Sequence, residues 1–349
     1  MVDLRFIIKN AFFLIAVVVF FHCSPEDKSA DVVNIIVCDA SDFTDRNPFL
    51  HNVDFSAVKI KSEYALSETK SMYMADDSLC YAVDYNGALF CIDTDKGDVV
   101  AYRRQVGRAK DEVVVPNLIT ADSTHVYVWD GGKGCILVFD RTFAYQGVIP
   151  LSYNPTEFIK VESGFLCYSS GRESSVYLID MRGEKTYSWK MSNLELNTRS
   201  SHVFSKDCNG DVYFMSEYSD TIYKWDDTHM SPEFCISYES MELQKSTSSD
   251  KDLSVGRYTS TFFVLPNYIL FSFYEGKTMR YGLYDMKTSK VCVGDPRLPD
   301  SSNFIPFRQG SSVMLTLWDE SMLPALIDMD CEENSNVQLL IWKYHYKGR

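Results

Sequence analysis

Met72-Tyr73-Met74-Ala75 is a short apolar run stopped by Asp76-Asp77-Ser78, residues whose side chains bond their own backbone and favour turns over ladders. Leu79 to Asp84 restarts as a strand, and Asn86-Gly87 follows. Both residues tolerate positive φ, so this is a hairpin signal. Leu89 to Asp93 is the returning strand, Lys96-Gly97 turns the chain again, and Val99 to Tyr102 closes the set. The pattern predicts four antiparallel strands, apolar on both faces, as in a small sheet packed between two neighbours.

The same pattern recurs down the chain, and two independent sets of anchors test it. The first tight turn falls at Asp77, Ser123, Ser163, Asn209, Asn267 and Gly310, at spacings of 46, 40, 46, 58 and 43. The aspartate closing the third strand falls at Asp93, Asp140, Asp180, Asp226 and Asp285, at spacings of 47, 40, 46 and 59. The two series agree to within one residue, the long gap included. Insertions therefore fall between units, and the long one is the Ser-rich connector Tyr238 to Arg257. In the last unit, Asn303 to Phe307 and Val313 to Leu317 supply two strands, while Leu326 to Asp328 and Val337 to Tyr344 compete for the third.

Four-stranded units of this length are blade-like, and blades set radially make a β-propeller. The expected fold is all-β, a six-bladed propeller of four-stranded antiparallel blades. A strand outside the repeats, Phe55 to Leu66 with alternating Val58-Lys59-Ile60-Lys61, closes it by joining its Val58 to Tyr64 stretch to Val337 to Tyr344, which leaves no open edge. Val32 to Val37 is strand-like, and Asp39 to Asn52 reads as loop.

Ahead of this, Arg5 and Lys9 precede an apolar run from Ala11 to Phe21. Eleven residues suit a signal-peptide core and are too few to span a bilayer. Cys23, followed by Ser24-Pro25-Glu26-Asp27-Lys28, resembles the junction of a bacterial lipoprotein, where the cysteine is lipidated; an ordinary secreted protein and a retained anchor are the alternatives. The expected organisation is a signal peptide over 1–22, a tether and N-terminal segment over 23–52, and one propeller domain over 53–349.

Together these residues resemble the six-bladed β-propeller lipoproteins frequent in Bacteroides-type bacteria. Phe55 to Leu66 is similar to that family's strand before the first blade. Gly107-Arg108-Ala109-Lys110-Asp111-Glu112-Val113 is similar to its glycine-rich connector, with Ala109, Lys110 and Asp111 replacing Gly, Pro and Gly. Glu332-Glu333-Asn334 and Val337 to Lys343 resemble its acidic final strand, which makes Leu326 to Asp328 a remnant of a connecting segment. The resemblance implies an exported, membrane-tethered propeller, anchored to the outer membrane and facing periplasm or cell surface. It supplies no reaction.

Composition removes several functions. The chain carries a formal charge of −14, and loss of residues 1–22 leaves 32 of its 34 basic and 47 of its 48 acidic residues, a charge of −15. Nucleic acid is thereby excluded as a partner. The ten cysteines contain no CxxC pair. Pairing Tyr85 with Ala88 sets Cys91 opposite Ala82 and only diagonal to Cys80, a poor geometry for a bridge. The thiols therefore read as small hydrophobes in strands.

Catalytic templates are missing as well: there is no HExxH, GxSxG, P-loop or GxGxxG. Gly131-Gly132-Lys133-Gly134 sits at a hairpin turn position. Asp93-Thr94-Asp95-Lys96-Gly97-Asp98 has the oxygen density of a calcium loop but the wrong register, with Arg104 where a bidentate Glu is needed. His51, His125, His202 and His229 lack metal spacing. No cofactor, metal or catalytic residue is assigned.

Strand alternation does locate a binding face. Turns between second and third strands emerge with the inter-blade connectors on one side. That side carries Tyr85, Lys133, Arg172, Tyr218, Lys277 and Trp318 from turns, and Arg108 and Arg257 from connectors. Tyr, Trp and Arg are enriched at binding hot spots. The expectation is a monomeric, non-catalytic binding or scaffold module for a protein or glycan. The alternative is a carbohydrate hydrolase or lyase using funnel carboxylates with His125 or His202.

Overall fold

In the computed structural model the described residues are 33–38, 42–44, 48, 53–67, 69–170, 175–190, 202–216, 219–238, 257–275, 278–295, 308–309, 313–319 and 339–346, and every named element among them is a strand. Cys23 lies outside them. Three strands precede the repeats: β1 (Asn34–Val37), β2 (Phe43–Thr44) and β3 (Val53–Lys59). The first blade is β4 (Thr69–Met74), β5 (Leu79–Asp84), β6 (Leu89–Asp93) and β7 (Val99–Arg103). The second is β8 (Pro116–Ala121), β9 (His125–Asp130), β10 (Cys135–Asp140) and β11 (Tyr145–Pro150). The third is β12 (Glu157–Val161), β13 (Gly164–Ser169), β14 (Ser175–Ile179) and β15 (Lys185–Lys190). The fourth is β16 (Phe204–Lys206), β17 (Val212–Phe214), β18 (Thr221–Trp225) and β19 (Met230–Ser237). The fifth is β20 (Arg257–Val264), β21 (Tyr268–Glu275), β22 (Thr278–Asp285) and β23 (Lys290–Gly294). β24 (Arg308–Gln309), β25 (Val313–Asp319) and β26 (Leu339–Tyr346) belong to the sixth.

Six sheets result, and β3 supplies the fourth strand of the last one, antiparallel to β26 from Leu340↔Lys59 to Tyr346↔Val53. The N-terminal segment therefore closes the fold as expected, but the closing strand lies N-terminal of the expected Val58 to Tyr64 stretch and overlaps it only at Val58 and Lys59. Between Asn34 and Thr44 the chain does more than link. β1 pairs parallel to β19 at the edge of the fourth blade, and β2 pairs parallel to β23 at the edge of the fifth. Phe43–Thr44 is thus a strand in a segment expected to be loop, because edge pairing uses the backbone and needs no alternating side chains. Successive N-terminal strands cover three outer edges that would otherwise be templates for association.

Each blade sends alternate side chains into two different interfaces. Tyr81, Val83, Leu89 and Cys91 pack with Ile119, Val126, Val128 and Leu137 between blades one and two. Their neighbours Cys80, Ala82, Phe90 and Ile92 face the other way, with Val58 and Ile60. Tyr127, Trp129 and Ile136 meet Phe158, Phe165 and Cys167 between blades two and three. Burial of each such large side chain contributes about 1.5–3 kcal/mol, so blade-to-blade packing holds the fold.

The first hairpin differs from expectation by one residue. Val83 pairs with Leu89 and Tyr81 with Cys91, because Asp84 exchanges backbone bonds with Gly87 and Ala88 and its carboxylate accepts from the Ala88 N–H at 2.7 Å. Gly87, at φ 79°, completes a three-residue loop, where a two-residue loop would pair Tyr85 with Ala88. A one-residue slip flips every side chain, which is why Cys80 and Cys91 lie on opposite faces. All eight described cysteines are thiols, and Cys38, Cys80, Cys91, Cys135 and Cys167 are buried.

The repeated aspartates have one job. The Oδ1 atoms of Asp93, Asp140, Asp180, Asp226 and Asp285 each accept two backbone N–H groups from the turn that follows, at 2.8–3.2 Å. In Asp93 the second oxygen takes the Lys96 ammonium at 2.8 Å, so the calcium-like stretch is a self-satisfied turn. All five carboxyls are held below their usual range. The leading cause is the Lys96 ammonium for Asp93, the Thr142 hydroxyl for Asp140 and the Glu184 amide for Asp180. For Asp226 and Asp285 burial pushes upward, and donated hydrogen bonds outweigh it. A carboxyl depressed on folding adds stability above its unfolded pKa of about 3.9, and that stability is lost as pH falls through the folded value. Acid titration followed by circular dichroism should therefore show a stability plateau above about pH 4 and a progressive loss toward pH 2. A flat profile across that window would remove the turns from the stability account.

Candidate functional site

The first strands of the blades, β24, β4, β8, β12, β16 and β20, follow one another around the centre of the fold. Four of them, β4, β8, β12 and β16, line a cavity of about 360 Å³, within the range of about 300–1,000 Å³ usual for small-ligand sites. Its connector end is polar: Lys70, Asn117, Thr156, Glu157 and His202. Its walls are apolar, with Met72, Met74, Phe158 and Phe204, and Lys206 stands at the far end.

Side chains fasten these strands to one another. The Ser71 hydroxyl accepts from the Ile119 N–H at 3.2 Å, and the Ser205 hydroxyl from the Val264 N–H at 2.9 Å. Glu157 Oε2 accepts from the Val203 N–H at 2.6 Å. The Lys70 ammonium donates to Asn117 Oδ1. Each link joins one blade to the next, so the cavity wall is preorganised.

Glu157 and His202 form the one carboxylate–imidazole pair on this wall among the described residues, with Oε1 and Nδ1 3.5 Å apart. Both are nearly buried, and the imidazole stacks on Phe263 with ring centroids 4.6 Å apart. Burial pushes the Tyr73 phenol up to about 12, so it remains a hydrogen-bond donor at the cavity wall.

The expected binding residues fare unequally. Tyr85, at 64% exposure, stands on the β5–β6 turn. That turn packs on the first connector, since a Cβ on Gly87 would meet Val106 at 3.4 Å. Arg108 is exposed on the same connector, so these two share a neighbourhood. Lys133 does not present itself to a ligand: its ammonium donates to the carbonyls of Ala109 and Glu112 at 2.6 Å each and holds the connector in place. Trp318 is inside β25, paired with Leu340, and is not a turn residue. Arg257 opens β20 opposite Glu275 and so begins a strand. Arg172, Tyr218 and Lys277 lie outside the described residues.

His202 lines the cavity, whereas His125 belongs to the turn side of the second blade, with Nδ1 2.8 Å from the Thr124 hydroxyl. Lys70, Asn117 and Glu157 escaped the sequence reading. They occupy the openings of first strands, and nothing in their local pattern separates them from other polar strand ends.

A family model described as a 6-bladed beta-propeller matches residues 24–295. Among solved structures, a Bacteroides fragilis protein described as exported superposes with a TM-score of 0.68 at 15% identity, over 90% of this chain and 100% of its own. A DUF4221 family member from Bacteroides vulgatus superposes with a TM-score of 0.56 at 10% identity, over 85% and 99%. No curated protein matches the sequence.

Proposed function

The chain belongs to the DUF5128 family of six-bladed β-propellers, and from that premise we propose that it is an exported, membrane-tethered module that binds a protein or glycan partner at the connector end of its channel without transforming it. The observation that carries this reading is the preorganised cavity, apolar in its walls and polar at its connector end. That division suits recognition, with the walls supplying contact area and a few polar groups fixing orientation. Both oxygens of Glu157 are engaged, one by His202 and the other by the Val203 N–H. The pair thus serves as a wall fixture. Export is supported by the leader-like run ahead of Cys23 and by the description of the Bacteroides fragilis protein of the same fold.

One observation favours a second reading. A nearly buried acid beside a histidine in a channel is also what a carbohydrate hydrolase or lyase would use, and Glu157 with His202 is such a pair.

The full-length chain in detergent, exposed to a glycan panel and to a membrane-protein extract, separates the two. Binding predicts saturable retention of a partner whose mass is unchanged. Lys70→Glu, which reverses an exposed charge at the cavity's connector end, should weaken retention about tenfold or more, in line with truncating a hot spot. Product release that disappears in His202→Ala would establish the enzyme reading instead. Cys23→Ala should move the chain from the membrane to the soluble fraction, and continued membrane retention would refute the lipid tether.

A further inference from the structure

On the side opposite the connectors, the turns of blades two to four surround a second cavity of about 390 Å³. Its inner groups are hydrogen-bond donors. Lys160, near the end of β12, spends two donors on the carbonyls of Val161 and Glu162, the second at 3.5 Å, and an ammonium has a third. Lys206 ends β16 and is partly buried, and its ammonium has no hydrogen-bond partner among the described residues. Trp225 ends β18, is 4% exposed, and its indole N–H meets no acceptor. Burial is the first cause lowering the pKa of both lysines, the Asp122 carboxylate opposes it at both, and the Lys206 ammonium adds to the lowering at Lys160. The third Lys160 donor, the Lys206 ammonium and the buried Trp225 indole N–H are thus left without an acceptor among the described residues, and a buried donor left unpaired is costly.

Four carboxylates also line this cavity, and they sort into two kinds. Asp122 is saturated by the Tyr127 hydroxyl, the Thr124 hydroxyl and the N–H groups of Thr124 and His125, all at 2.7–2.9 Å. Asp211 is paired with Lys224 at 2.6 Å. Glu162 and Asp227 remain, exposed at the rim. Such a rim repels polyanions and accepts hydrogen bonds from hydroxyls.

We propose that this cavity binds a single carboxylate carried on a polyhydroxylated body, that is, a uronic acid residue of a glycan. The carboxylate lies between Lys160, Lys206 and the Trp225 indole N–H, and the sugar hydroxyls donate to Glu162 and Asp227. Lys206 lines both cavities, but Lys160 and Trp225 line only the second, so variants at those two distinguish this site from the connector-end reading.

Calorimetry and saturation-transfer NMR on the full-length chain, with galacturonate, galactose, acetate and sulfate as probes, test the proposal. Galacturonate should bind and galactose should not. Affinity should fall at least tenfold in Lys160→Gln and severalfold in Trp225→Phe, which keeps the ring and removes the donor; unchanged thermal unfolding of Trp225→Phe secures the comparison. Galactose binding as tightly as galacturonate would overturn the anion assignment. Acetate or sulfate binding as tightly would overturn the sugar assignment. Galacturonate affinity unchanged in both variants would place the ligand elsewhere.

Discussion

A chain shortened to begin at residue 60 is expected to lose cooperative folding and to associate, whereas one beginning at residue 46 should fold with a modestly lowered Tm. The shorter truncation removes β1 and β2, edge strands with four and two paired residues. The longer one also removes β3, whose seven register pairs with β26 join the two ends of the chain. Each lost backbone hydrogen bond contributes about 0.5–1.5 kcal/mol, so the closing ladder is worth several kcal/mol against a total stability of about 5–15 kcal/mol. The cost is not confined to that ladder. Without β3 the edge of β26 is open, and an exposed edge invites pairing with another chain. Size-exclusion chromatography and calorimetry distinguish the outcomes. A residue-60 chain that stays monomeric and melts in one transition near the parent Tm would show that closure is dispensable.

The closing strand was legible because an apolar stretch with strand-like alternation lies outside the repeat, although the alternating Val58-Lys59-Ile60-Lys61 runs past the end of β3 at Lys59. Periodicity of that kind survives any local irregularity. Register did not survive so well. Whether Asn86-Gly87 closes a two- or three-residue loop depends on Asp84, whose side chain caps the Ala88 N–H, and that one contact decides which interface receives Cys91. The aspartates closing the third strands were readable as position markers, and their spacing found the blades. That each one satisfies its own turn is a matter of geometry that spacing alone does not contain.

The binding face was less legible than the fold. Strand direction puts the Tyr85 turn and the connector carrying Arg108 on one side, and Gly87 of that turn lies against Val106 of the connector. It could not distinguish a lysine offered to a ligand from one consumed by the scaffold, and Lys133 is consumed. The cavity groups were hidden for a related reason. Glu157 and His202 are distant in sequence from Lys70, and only the arrangement of first strands around the centre brings them to one wall. His202 was within reach as a histidine near a strand start; its carboxylate partner was one acid among many.

Asp130→Ala is expected to be the most damaging point substitution of a polar residue in the first two blades, at about 3–5 kcal/mol for removing one fully buried carboxylate and leaving four part-buried backbone donors without it. Asp130 ends β9 with no exposed surface. Its Oδ1 accepts from the N–H groups of Val115, Gly132 and Lys133 at 3.0, 2.9 and 3.2 Å, and its Oδ2 from the Val114 N–H at 2.7 Å. One carboxylate thus organises both the β9–β10 turn and the end of the connector that carries Arg108. The Lys133 ammonium fastens the same connector from the other side through Ala109 and Glu112. Asp130→Asn keeps one acceptor oxygen and turns an NH₂ group toward a backbone donor, so its cost should be smaller, about 1–3 kcal/mol. Urea denaturation gives the two values. Hydrogen exchange adds a local test: in Asp130→Asn the amides of Val114 and Val115 should exchange faster while those of the neighbouring β10 ladder hold. If Asp130→Ala costs less than about 1 kcal/mol, or if connector and ladder amides accelerate together, the carboxylate is not what sets the loop, and the position of the connector against the β5–β6 turn must be owed to Lys133 and the packing of Val106 against Gly87.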